Sequence, residues 1–244
     1  MIKITLPDGS VKEFASGVTP MEVAKSISEG FARNVISASF NGTTVETTTP
    51  LTTDGSLILY TWNDEDGKKA FWHSTSHVMA QVLEQMYPGI KLTLGPAIAN
   101  GFYYDVDFEE HKITEADFKK IEDRVLEISR GKHEFKLRPV SKADALELYK
   151  DNVYKTEMIT NLEDGTITFC DHDTFTDLCR GGHIPNTGII KAMKIMSVAG
   201  AYWRGHEKNK QLTRVYGTSF PKQKDLTEYL ALLEEAKRRD HRKL

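Results

Sequence analysis

Two short motifs combine residue types that hydrolytic and metal sites use. The first is His73-x3-His77, and the second is Cys179-x3-His183, which encloses two glycines. Residues four apart on a helix project from the same side, so the first motif predicts two imidazoles stacked on one helical face. Glycines let a backbone come close to a ligand, so the second motif predicts a loop that belongs to a site.

These four side chains are compatible with three kinds of chemistry. Three histidines and one cysteine can bind zinc tetrahedrally. The same groups can line a hydrolytic pocket that needs no metal, and Cys179 can act as a covalent nucleophile beside a histidine. Taken singly, a satisfied histidine or a buried cysteine in a glycine turn has only a structural role. Spacing alone does not decide between these alternatives.

Two further segments carry candidate site residues. In the stretch 152–157, Lys155 follows the aromatic Tyr154, and a lysine that leaves a helix is solvated by default. The glycines at 95 and 101 predict an approach loop for a substrate, since they allow close contact with the backbone.

The residues at the N-terminus predict a small domain over 1–62. A strand at the start, the Asp8-Gly9 turn and a returning strand predict a hairpin. Thr19 and Glu22 predict a capping box at the start of a helix. Two more strands, at 36–40 and 57–60, complete the order ββαββ, which is typical of a ubiquitin-like β-grasp. No residue in this domain looks catalytic.

The rest of the sequence predicts a second domain over 63–221 and a last helix over 222–244. A polar stretch at 63–67 is the expected linker. The second domain mixes helices and strands without a regular βαβ repeat, which predicts an α+β fold with a mostly antiparallel sheet. Expected helices cover 71–87, 114–130 and 141–149, and expected strands cover 92–94, 102–108, 135–140, 166–170, 189–198 and 211–220.

Composition excludes several classes of protein. The net charge of −3 argues against a general nucleic-acid coat protein. Two cysteines are too few for a disulfide framework and favour a reducing, cytoplasmic compartment. The sequence has neither an apolar run long enough to span a membrane nor a secretory signal.

The motifs resemble the N-terminal half of bacterial threonyl-tRNA synthetases over the whole chain. Residues 1–62 resemble the TGS domain, 63–221 the editing domain and 222–244 the linker helix toward the catalytic core. Alanyl-tRNA editing domains share the same pairs of histidine and cysteine. The match rests on WHSTSHVMA at 72–80 and DLCRGGH at 177–183, supported by LGPA at 94–97, GFYYD at 101–105 and IMSVAGAYW at 195–203.

The resemblance implies hydrolysis of mischarged seryl-tRNA(Thr). It implies that His73 orients the water or a ribose hydroxyl, and that Lys155 polarises or deprotonates that water. Asp177 is expected to hold the seryl ammonium or the ribose. The implied catalytic residues are His73, His77, Lys155, Cys179 and His183, and the implied substrate-binding residues are Gly95, Tyr104, Asp177 and Arg180.

The resemblance also implies that this site holds no metal, although the alanyl relatives bind zinc. Zinc, ATP and magnesium are expected only in a catalytic core whose motifs do not occur in this sequence. The chain is therefore expected to be a monomeric fragment of a homodimeric enzyme, since Lys243 and Leu244 continue a helical pattern. The alternatives are a stand-alone or zinc-dependent aminoacyl-tRNA deacylase, a metal-dependent hydrolase of a small metabolite and a pure RNA-binding module.

Overall fold

The protein is an α+β molecule in the computed structural model, which describes residues 1–242. The expectation that the chain stops inside a helix rested on Lys243 and Leu244, and these lie outside the described residues. Among the described residues, no helix is both long and apolar enough to cross a membrane.

The first five strands form the predicted β-grasp sheet. Its strand order is β2-β1-β5-β3-β4, with β1 and β5 parallel and the other pairs antiparallel. Its elements are β1 (Ile2–Thr5), β2 (Val11–Phe14), α1 (Pro20–Ile27), α2 (Glu29–Ala32), β3 (Ser37–Phe40), β4 (Thr43–Val45) and β5 (Gly55–Tyr60).

Local signals in the β-grasp domain act as the sequence predicts. Gly9 takes a φ of 86° in the turn between β1 and β2, a conformation that glycine adopts without strain. Thr19 accepts a hydrogen bond from the Glu22 amide at 3.2 Å, and the Glu22 carboxylate accepts one from the Thr19 amide at 3.0 Å. This capping box satisfies two amides that the first turn of α1 leaves free.

The region that follows β5 holds two antiparallel sheets and five α-helices within the described residues. One sheet has the order β12-β13-β8-β6, with β7 paired to β8, and the other has the order β11-β10-β9. Its elements are α3 (Glu65–Met86), β6 (Lys91–Leu92), β7 (Ala97–Ile98), β8 (Gly101–Asp107), α4 (Glu115–Arg130), β9 (Lys136–Pro139), α5 (Lys142–Leu148), α6 (Val153–Thr160), β10 (Thr168–His172), β11 (Phe175–Leu178), β12 (Ala192–Tyr202), β13 (Gln211–Phe220) and α7 (Gln223–His241).

Helix α3 is the central element of the second domain. Phe71, Val78 and Leu83 are fully buried in its core, and Ile36 of the β-grasp domain belongs to the same apolar cluster. The two domains therefore contact each other through this core.

The structure corrects the start of α3. The helix begins at Glu65, six residues before the predicted start, so it takes in most of the stretch expected to be a linker. Two acidic residues, Glu65 and Asp66, occupy its first turn, where negative charge is favourable.

Two elements that the sequence did not predict carry site residues. Lys155 does not leave a helix, since it lies in the first turn of α6, where the Asn152 side chain accepts hydrogen bonds from the Tyr154 and Lys155 amides. Asp177 lies in strand β11, so the expected site loop begins only at Cys179. Both elements are too short for a clear hydrophobic period.

Candidate active site

A cavity of about 710 Å³ lies beside α3 and receives side chains from several elements. His73 and His77 come from α3, Tyr104 from β8 and Lys155 from α6. Of the nine residues that the sequence nominates, eight line this cavity, and His183 does not. Those eight are His73, His77, Gly95, Tyr104, Lys155, Asp177, Cys179 and Arg180.

The two motifs meet at the inner end of the cavity. His73 Nε2 lies 3.1 Å from Cys179 Sγ and 3.3 Å from His77 Nε2. His183 Nε2 lies 3.3 Å from the same sulfur, behind the cavity wall, and the Gly181 amide donates to that sulfur at 3.4 Å. The helical spacing and the glycine loop thus bring three imidazoles and one thiol together.

The charges in this cluster differ from those of the free side chains. Burial alone would raise the pKa of the Cys179 thiol, but the charge of His77 and a hydrogen bond from His183 hold that pKa well below its usual value. Burial opposes charge on His183 too, yet hydrogen bonds to Cys170, Cys179 and Glu46 raise its pKa well above 6.5. These two pKa shifts favour a Cys179 thiolate paired with a His183 imidazolium.

His77 and His73 respond to burial in opposite ways. Burial lowers the pKa of both rings, but Cys179 and Asp177 outweigh it at His77 and raise that pKa. At His73 burial prevails, and the pKa is lowered despite the contact with Cys179. His73 is therefore the neutral imidazole of the cluster at pH 7.

Asp177 joins the cluster to the rest of the cavity. Its Oδ1 accepts from Lys155 Nζ at 2.5 Å and from the Leu178 amide at 2.9 Å. Its Oδ2 accepts from the Tyr104 hydroxyl at 2.7 Å, and His77 Nδ1 lies 3.3 Å away without hydrogen-bond geometry. Burial opposes ionisation of Asp177, but Lys155 and His77 hold its pKa well below the usual range.

This arrangement bears on the roles expected of Lys155 and Asp177. Lys155 Nζ donates to Thr93 O at 2.7 Å and Tyr104 Oη at 3.3 Å in addition to Asp177, so its three N–H bonds are used. Both oxygens of Asp177 also have donors. A substrate ammonium or a water would have to share these contacts, which leaves Asp177 and Lys155 better placed to position their neighbours than to react.

Gly95 and Tyr104 fit together at the cavity wall. A Cβ atom on Gly95 would overlap the Tyr104 ring, so glycine is required for this approach. Burial and the charge of Asp177 raise the pKa of Tyr104 well above 10, so its hydroxyl stays a donor. Arg180 is exposed at the cavity rim.

Sequence analysis missed one residue of the cluster, Glu46 in the β-grasp domain. Its Oε1 lies 3.1 Å from His183 Nδ1, although the two residues are 137 positions apart. The sequence marks Glu46 as unusual, because it is the only charged residue between Arg33 and Asp54, but it does not indicate which residue Glu46 contacts.

The donor atoms fit a metal ion in type and spacing. One atom from each of His73, His77, Cys179 and His183 lies within 4.8 Å of the others, and imidazole nitrogen and thiolate sulfur are both donors that zinc binds. Without a metal, groups of opposite charge still face one another, since Lys155 contacts Asp177 and His183 contacts both Glu46 and Cys179.

Comparisons with known proteins define the class. The TGS domain family matches residues 2–61, and the family described as the threonyl and alanyl tRNA synthetase second additional domain matches residues 166–216. The second match includes Asp177, Cys179 and His183. The chain thus joins a TGS domain to a domain of the kind that accompanies two tRNA synthetases.

Three relatives of high similarity are all threonine–tRNA ligases. The chain is 88% identical over all 244 residues to a threonine–tRNA ligase of Flavobacterium johnsoniae and 86% identical to one of Flavobacterium psychrophilum. A threonine–tRNA ligase of Cytophaga hutchinsonii is 54% identical over 246 aligned residues. In each case the chain spans 38% of the relative. The chain thus has a TGS domain and an editing domain of the threonyl and alanyl type, and it is similar over its whole length to part of bacterial threonine–tRNA ligases.

Proposed function

We propose that this protein hydrolyses the ester bond of seryl-tRNA(Thr). The observation that carries the proposal is one cavity with a neutral imidazole, a thiolate and an ammonium group on its wall. The cavity is much larger than a seryl group and has an apolar part lined by Met158, Leu162 and Ile167. An aminoacyl group attached to a nucleoside suits this division better than a small free ester does.

His73 is the proposed proton acceptor. Because Gly95 O only accepts hydrogen bonds, its contact with His73 Nδ1 at 3.3 Å favours the tautomer with the proton on Nδ1. The lone pair on Nε2 then accepts from His77 Nε2 at 3.3 Å in the resting site, and substrate has to open this contact before Nε2 can orient water or a ribose hydroxyl. Lys155 supplies positive charge to the cavity, where negative charge develops on the oxyanion, while the Tyr104 hydroxyl, which donates to Asp177, helps to hold that charge in place. Arg180 at the rim is assigned to the tRNA.

The proposed specificity for serine answers a problem of discrimination, because a site that charges tRNA with threonine also accepts serine. A synthetic pocket for threonine gains only about 1–3 kcal/mol from one methyl group, so it cannot exclude the smaller serine. A second pocket that admits serine and rejects the extra methyl supplies the remaining discrimination.

We also propose that hydrolysis needs no bound metal. Without an ion, His183 has a partner on each ring nitrogen and Asp177 has a donor on each carboxylate oxygen. Metal analysis after chelator treatment tests this: full activity without zinc is expected, and one stoichiometric zinc on which activity depends would favour a zinc-dependent deacylase.

Incubation with charged tRNA separates the candidate functions. Release of serine from seryl-tRNA(Thr), with threonyl-tRNA(Thr) left intact, is the expected result. Salt-sensitive binding without hydrolysis would instead indicate an RNA-binding module. Turnover of free amino-acid esters without tRNA would indicate a hydrolase of small metabolites.

The proposed function also implies a cellular location, a partner and an oligomeric state. We place it in the cytoplasm, with the acceptor end of tRNA(Thr) as its partner. The 244 residues are proposed to be monomeric by themselves, with dimerisation left to a catalytic core. Sedimentation of the chain at micromolar concentration checks this, and a stable dimer would contradict it.

A further inference from the structure

We infer that Glu46 of the β-grasp domain is a positioning residue of the hydrolytic centre, acting through His183 on Cys179. The inference rests on the proposed function for its consequence and on geometry for its existence. It gives the TGS domain a part in the site.

Glu46 makes three contacts with one short segment of the second domain. Its Oε1 accepts from the Gly182 amide at 2.7 Å and lies 3.1 Å from His183 Nδ1. Its Oε2 accepts from the His183 amide at 3.2 Å. The residue follows β4 directly and is 7% exposed, so these contacts satisfy a carboxylate that would otherwise be costly to bury.

The glycine loop is shaped to receive this carboxylate. Gly181 and Gly182 have φ of 106° and 89°, a region that side-chain-bearing residues rarely adopt. A Cβ atom on Gly181 would stand 2.7 Å from Glu46 Oε1 and 3.1 Å from Leu137 Cδ2. The glycines of the second motif are thus explained by contact with the β-grasp domain.

Glu46 decides which edge of the His183 ring faces the sulfur. The ring stacks on Phe135, with 5.2 Å between centroids and 8° between planes. Stacking fixes the plane of the ring but does not distinguish its nitrogens from its carbons, and the other partner of Nδ1, Cys170 Sγ, lies 3.7 Å away. The carboxylate binds Nδ1 and so leaves Nε2 toward Cys179, 3.3 Å away.

The test uses three variants of the full chain. Glu46→Gln keeps the size of the side chain and removes its charge, Glu46→Asp keeps the charge, and Glu13→Gln removes an exposed charge from the same domain. Each is assayed for kcat and KM on seryl-tRNA(Thr), for thermal stability and for the ¹⁵N shifts of the His183 ring.

Glu46→Gln is expected to lower kcat roughly 10- to 100-fold, the effect of losing a hydrogen bond to a charged group. KM stays within about twofold, because Glu46 does not touch the substrate. Glu46→Asp recovers part of kcat, and Glu13→Gln keeps the wild-type values. The His183 shifts move in Glu46→Gln and not in Glu13→Gln.

A purely structural role gives a different result. Reduced thermal stability of Glu46→Gln with unchanged kcat and unchanged His183 shifts would overturn the inference. If the wild type itself does not hydrolyse seryl-tRNA(Thr), the proposed function fails, and the ring shifts still decide whether Glu46 positions His183.

Discussion

His73 is the one imidazole of the cluster that combines neutrality with access to the cavity. His77 and His183 have carboxylate partners, Asp177 and Glu46, that favour their charged forms, whereas the Nδ1 atom of His73 faces a backbone carbonyl. The three rings have the same chemistry, so the difference between base and structural cation comes from the groups behind them.

Cys179 is expected to support hydrolysis by its charge and not by covalent attack. Cys179→Ala removes the anion that holds the histidines, so kcat should fall about 10-fold or more without abolishing hydrolysis. His73→Ala should cost about 100-fold or more, the usual contribution of a general base. Single-turnover deacylation measures both.

Mass spectrometry of wild-type reactions quenched in acid checks the same point. No seryl adduct on Cys179 is expected. A serine-modified peptide containing Cys179, formed as fast as serine is released, would establish the nucleophile instead.

His172 makes the stability of the folded protein depend on pH. Burial, and then the charges of His77 and His183, lower its pKa to about 3. The unfolded chain takes up a proton near pH 6.5 and the folded chain does not, so this residue's stabilisation is complete above pH 6.5 and is lost as the pH falls toward 3. The slope is about 1.4 kcal/mol per pH unit.

His172→Phe should flatten that slope while it keeps the aromatic packing on Phe135 and Phe175. Urea unfolding at several pH values between 4 and 7 gives both curves, and the difference between them reports His172 alone. Parallel curves for variant and wild type would show that His172 protonates normally in the folded protein.

Contacts between site residues that are close in the sequence could be predicted from their spacing. Helical periodicity places His73 beside His77, and a short loop returns His183 to Cys179. Glu46 escaped prediction because nothing in its neighbours indicates a contact 137 residues away. Only the tertiary fold brings it to the ring.

Among the elements, the loop that follows β11 has the strictest geometry. Gly181→Ala and Gly165→Ala both place a side chain at positive φ, 106° and 91°, which costs about 1–2 kcal/mol of stability. A Cβ atom at Gly165 meets nothing within 4 Å, whereas one at Gly181 meets Glu46. Both variants should lose stability, and only Gly181→Ala should also lose hydrolysis.

Thermal denaturation and deacylation of both variants measure these effects. Equal activity of the two variants would show that contact between the loop and Glu46 has no catalytic consequence.

Elements with strong local signals were predictable, and short polar ones were not. The capping box of α1 and the hydrophobic face of α4 have clear sequence patterns, and strand β13 has the predicted bounds. Strand β11 reads Phe-Thr-Asp-Leu, and its polar middle reflects the use of Asp177 in the site. Its strand conformation depends on pairing with β10, which is a tertiary effect.

In the whole molecule, the β-grasp domain has an apolar core of its own and also contacts the core of the second domain. Ile36 enters the cluster around α3, and Glu46 binds the glycine loop. Trp62, at the junction, packs edge-on against Phe71 at 5.0 Å and Phe220 at 5.6 Å between ring centroids. The sequence predicted two domains, but it gave no indication that they share a site.

The contacts between the domains predict cooperative unfolding. Calorimetry should show one transition whose calorimetric and van't Hoff enthalpies agree, because the contacts of Ile36, Trp62 and Glu46 couple the two domains. Two resolved transitions would show that the domains unfold independently, and Glu46 would then contribute little to their association.

The central claim is that the cavity hydrolyses the serine ester and spares the threonine ester on the same tRNA. Single-turnover deacylation of Ser-tRNA(Thr) and Thr-tRNA(Thr), by the wild type and by His73→Ala, tests it most directly. The wild type should release serine at least about 10-fold faster than threonine, and His73→Ala should lose the serine activity. Equal release of both amino acids, or serine release that survives in His73→Ala, would contradict the claim.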